Sequence, residues 1–134
     1  MQVTLWRRDG AFEFFRSIGS YGSPETFQIG SGQLELLLVK CVEHAIRTYE
    51  RLGISGPLGL CFNIVSSYAV EFGLPPNLLM GIDRSIPLRR ETHFPALILS
   101  SLPDEPATAL RPLFDQIWQT FGYSRSFNFD DLGE

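Results

Sequence analysis

Val3-Thr4-Leu5-Trp6-Arg7-Arg8-Asp9-Gly10-Ala11-Phe12-Glu13-Phe14-Phe15-Arg16 is the stretch on which the reading of the fold turns. Two runs rich in β-branched and aromatic residues flank Asp9-Gly10, and Asp-Gly readily takes the positive φ angles of a two-residue hairpin turn. That turn sets an expected register with Leu5 opposite Phe14 and Arg7 opposite Phe12 on one side of the ribbon. Trp6 then lies opposite Glu13, with Phe15 beside Thr4, on the other. Both faces carry aromatics, and a face left uncovered is a candidate partner surface, marked here by Trp6 and Phe15.

Downstream, a Gly/Ser/Pro-rich stretch over 17–32 reads as a surface loop, with Thr26-Phe27-Gln28-Ile29 as a short extended piece. Leu34, Leu37, Leu38, Cys41, Val42, Ala45, Ile46, Tyr49 and Leu52 then recur at three- and four-residue spacing, which predicts a helix over 33–52 capped by Gly53. Its polar face carries Lys40, Glu43, Arg47 and Glu50. The run 58–65 is apolar on both alternating faces and suits a covered central strand. Tyr68-Ala69-Val70-Glu71-Phe72 and Ala96-Leu97-Ile98-Leu99 read as further strands, separated by a proline-rich loop over 73–94. Leu110, Leu113, Phe114, Ile117, Trp118 and Phe121 form a second helical stripe. Pro112 places the start of that helix near 108–111, because proline is tolerated in the first turn. Gly122 ends it, and 122–134 is a tail whose Phe127 and Phe129 are candidates to dock on the body.

The expected order is therefore β-β-α-β-β-β-α: one α+β domain over 1–134, with a five-stranded, mainly antiparallel sheet and two main helices. Small sensor and scaffold folds of the profilin, longin and PAS-like kinds share that order, which by itself says nothing of function. Its 134 residues are the size of one domain, and 44% hydrophobic against 19% charged content is globular.

A net charge of −4 disfavours a domain that must neutralise phosphates unaided. Arg7, Arg8, Arg89 and Arg90 form a candidate basic patch only if they converge in space. Cys41 and Cys61 read as small buried hydrophobes in a reducing cytoplasm, not as a disulfide framework. No run reaches the length of a membrane span, and the N-terminus lacks the order of a secretory signal.

Chemistry-bearing patterns are sparse. His44 and His93 lack a ligand set for a metal. Cys41 and His44 share a helix edge as a thiol and base could, but that edge belongs to the core stripe. Ser66-Ser67 lacks the glycine-flanked turn of a nucleophilic serine, and Gly30-Ser31-Gly32 reads as a loop-to-helix junction with Ser31 as cap rather than an anion site. The acids Asp83, Glu91, Asp104, Glu105, Asp115, Asp130 and Asp131 show no defined pairing, and Asp83-Arg84 suggests an ion pair.

Five words, in order, are similar to a known family: Trp6-Arg7-Arg8-Asp9-Gly10-Ala11-Phe12-Glu13; Tyr49-Glu50-Arg51-Leu52-Gly53-Ile54 before Pro57; Ile82-Asp83-Arg84; Leu110-Arg111-Pro112-Leu113-Phe114-Asp115-Gln116-Ile117-Trp118; and Gly122-Tyr123-Ser124-Arg125-Ser126-Phe127-Asn128-Phe129-Asp130. They resemble the C-terminal region of bacterial proteins of the Schlafen/AlbA DNA-binding (ATP-binding) type. Pro95-Ala96-Leu97 departs from the family, which has a Leu-Pro-acidic word there. The resemblance implies a nucleic-acid-binding domain preceding Met1 and a regulatory parent, not DNA binding by this chain.

The expectation is a non-catalytic accessory, sensor or oligomerisation domain without a cofactor, whose partner is that preceding domain or a second copy. The competing readings are a small hydrolase or nuclease-like enzyme using scattered carboxylates, and a weak nucleic-acid-binding module.

Overall fold

A computed structural model of the chain describes residues 2–23, 26–66, 69–74 and 91–128. Within them the protein is α+β. The elements are β1 (Gln2–Trp6), β2 (Phe12–Arg16), β3 (Ser20–Ser23), β4 (Thr26–Gly30), α1 (Ser31–Arg51), β5 (Leu58–Leu60), β6 (Asn63–Ile64), β7 (Ala69–Gly73), β8 (Thr92–His93), β9 (Leu97–Leu99) and α2 (Pro106–Thr120). Among the described residues the strands form four small sheets, where the sequence suggested one of five strands. These are β1-β2, β3-β4-β7, β5-β9 and β6-β8.

The hairpin forms, but in a different register. Gln2 pairs with Arg16, Val3 with Phe15, Thr4 with Phe14, Leu5 with Glu13 and Trp6 with Phe12. The turn has three residues rather than two. Arg7 donates its N–H to the Ala11 carbonyl at 2.9 Å, and Gly10 donates to the Arg7 carbonyl at 3.0 Å. Gly10 sits at φ 87°, as a type I turn followed by one left-handed residue requires. The Asp9 carboxylate also accepts from the Ala11 N–H at 3.1 Å, an Asx contact that favours the longer turn. One extra turn residue slips the pairing by one position and changes which side chains share a face.

β4 and β7 pair in parallel, Thr26 with Ala69 through Gly30 with Gly73. A parallel pair needs a long crossover, and α1 lies within it. α1 begins two residues before the expected 33, with Gly30 as N-cap and the buried Ser31 already helical, so Ser31 is not the cap. Its end matches the reading. Gly53 at φ 72° donates to Glu50 O, and Ile54 donates to Tyr49 O, a Schellman closure.

α2 ends alike through Gly122 and Tyr123, which donate to Gln119 O and Trp118 O. It starts earlier than expected, at Pro106, which takes the first helical position and leaves Pro112 inside the helix.

The core lies between α1, α2 and the β4-β7 pair. Ile29, Leu34, Val42, Ile46, Val70, Phe72, Leu110, Leu113, Phe114, Ile117, Trp118 and Phe121 are buried there together. Phe72 stacks on Phe121 at 4.5 Å and meets Trp118 edge-on at 5.0 Å.

The run 58–65 is not one covered strand. It splits into β5 and β6, burying Leu58 and Ile64 while Cys61 is exposed and Val65 is 74% exposed. β9 likewise leaves Ile98 68% exposed. Each of these strands has a single paired neighbour among the described residues, so each stands at a sheet edge and not at the centre. Among the described residues no helix is long and apolar enough to cross a membrane.

Candidate functional site

The hairpin rests on α1 by one face. With residues alternating in the observed register, Trp6, Phe12 and Phe14 share that face. Phe12 meets His44 at 5.8 Å and Tyr49 at 5.5 Å, both edge-on; Phe14 meets His44 at 6.1 Å, and Trp6 lies 6.0 Å from Tyr49. The Tyr49 hydroxyl donates to the Gly10 carbonyl at 2.7 Å, fastening the turn to the helix. Burial raises the pKa of this hydroxyl above the ordinary phenol value, and the negative charge of Asp9 raises it further.

The opposite face carries Val3, Leu5, Glu13 and Phe15. Leu5 is 46% and Phe15 51% exposed. Trp6, 47% exposed, thus belongs to the α1 side, so the two residues expected to mark one surface lie on opposite faces. The corrected outer patch is Val3, Leu5 and Phe15.

Of the expected basic patch, Arg7 is tied into ion pairs with Glu13 at 2.8 Å and Asp9 at 3.5 Å. Its guanidinium pKa is raised, first by the hydrogen bond to Glu13. Arg8 is exposed. Arg89 and Arg90 lie outside the described residues, as do Ser67, Tyr68, Asp83, Arg84, Phe129, Asp130 and Asp131.

The thiol and base do not form an activated pair. Cys41 is half-buried, and burial raises its thiol pKa against an opposing pull from Arg16, the reverse of what a reactive thiolate needs. His93 is exposed, with Nδ1 2.7 Å from Asn63 Oδ1 and Nε2 3.0 Å from Glu91 Oε1. Among the described residues no three His, Cys, Asp or Glu side chains group as metal ligands. An open depression of about 410 Å³ at the end of α1 is lined by Glu50, Gly53, Ile54, Ser55, Ser101 and Leu102.

The most ordered polar constellation is one the sequence reading missed. Glu35, buried in the second turn of α1, accepts three hydrogen bonds. Trp118 Nε1 donates to Oε1 at 2.7 Å, Ser126 Oγ to Oε1 at 2.6 Å, and Asn128 Nδ2 to Oε2 at 2.8 Å. The Ser126 N–H donates to Asp115 Oδ1 at 2.8 Å, and Gln119 Nε2 donates to the Ser124 carbonyl at 3.1 Å. Phe127 meets the Trp118 ring edge-on at 5.4 Å. The described part of the tail, 122–128, therefore docks on α2 and α1 as expected of Phe127, away from the outer hairpin patch. A signal was present: Glu35 stands three residues before Leu38 and seven before Val42, on the buried stripe, where an unpartnered carboxyl is costly.

Compared with known proteins, the chain matches no family model, no curated protein and no solved structure.

Proposed function

We propose that this chain is an accessory association module, non-catalytic and cytoplasmic, within a larger bacterial regulatory protein of the Schlafen/AlbA type. Its binding surface is the outer face of the hairpin. The observation that carries this reading is the asymmetry of the ribbon. One face is fastened to α1 through Tyr49 and Phe12, while Leu5 and Phe15 are exposed on the other, beside a half-buried Val3.

Four of the five words that carry the family resemblance support it, because they meet in space as two pairs, the third lying outside the described residues. Gly10 and Trp6 of the first word contact Tyr49 of the second, and Trp118 of the fourth shares the Glu35 carboxyl with Ser126 and Asn128 of the last. Residues that hold a scaffold together in this way are what an accessory domain would share with its relatives.

The test is a pair of substitutions, Leu5→Glu and Phe15→Glu, read by unfolding and by association with a second copy or with the preceding domain of the parent. Retained stability with lost association is expected. Lost folding from either would make them ordinary core residues. For the nucleic-acid reading the measurement is retention on single-stranded DNA as salt is varied; steeply salt-dependent retention by this chain alone would favour it over the association reading.

A further inference from the structure

We draw no further inference here: the strongest candidate, the apolar patch of Leu5 and Phe15 on the outer face of the β1-β2 hairpin, belongs to the surface already described, and nothing in the structure shows what covers it.

Discussion

Replacing Glu35 with alanine should be among the most damaging polar substitutions in the described part of the chain. The carboxyl receives Trp118 Nε1 and Ser126 Oγ, and both donor residues are fully buried. Without an acceptor each donor is left unpaired inside the protein, at about 1–3 kcal/mol apiece, so the expected loss is about 2–6 kcal/mol. Asn128 is only half-buried and can turn to water. Set against a total stability of about 5–15 kcal/mol, this is a large fraction. At roughly 4 °C per kcal/mol for a domain of this length, the melting temperature should fall by on the order of 10 °C or more.

Glu35→Gln should cost less, about 1–2 kcal/mol, because its oxygen still accepts from Trp118 and Ser126 while the Asn128 amide turns to offer its own oxygen to the new amide. Denaturant unfolding followed by far-UV circular dichroism measures both, with the exposed Glu50→Ala as control. An alanine variant within about 1 kcal/mol of the unsubstituted protein would refute the reasoning, since orphaned donors could not then be buried as described.

Tyr49→Phe should weaken the seating of the hairpin by about 0.5–1.5 kcal/mol, read as faster amide exchange in β1 and β2. The pH dependence runs one way. Because the folded-state pKa of the Tyr49 hydroxyl is raised, its contribution is present below the ordinary phenol pKa and lost as pH rises through the folded value. Titration by ultraviolet absorbance with unfolding at alkaline pH checks it, and Tyr49→Phe should remove that part of the dependence. Gly10→Ala has open space for the methyl group but a left-handed backbone, so about 1–2 kcal/mol of destabilisation is expected in thermal unfolding. Phe15→Ser should change stability by no more than about 0.5 kcal/mol, being half-exposed on the outer face.

The helices were the most legible parts of the chain. A long apolar stripe with a glycine just beyond it fixes a helix and its end, and both Gly53 and Gly122 close their helices as read. The start of α2 was less legible, because Pro106 and Pro112 compete for the first turn and only packing of Leu110 and Leu113 decides. The hairpin was evident, but its register depended on one turn residue, and Asp9 and Gly10 are compatible with either loop length.

The parallel β4-β7 pair joins segments far apart in sequence, and nothing local in 26–30 announces such a partner. Glu35 was hidden for a similar reason: its three donors lie at 118, 126 and 128, at the other end of the chain. The tail word Arg125-Ser126-Phe127-Asn128 was distinctive in sequence, and its meaning became visible only when Ser126 and Asn128 converged on that carboxyl.

Sedimentation of the unmodified chain, alone across a concentration series and mixed with the preceding domain of the parent, tests the central claim most directly. The account predicts a species larger than the 15.1 kDa of one copy in at least one of the two, and a return to 15.1 kDa when Leu5 and Phe15 are replaced by glutamate in a folded protein. A mass of 15.1 kDa in both, or association unchanged by those substitutions, would contradict association through the hairpin.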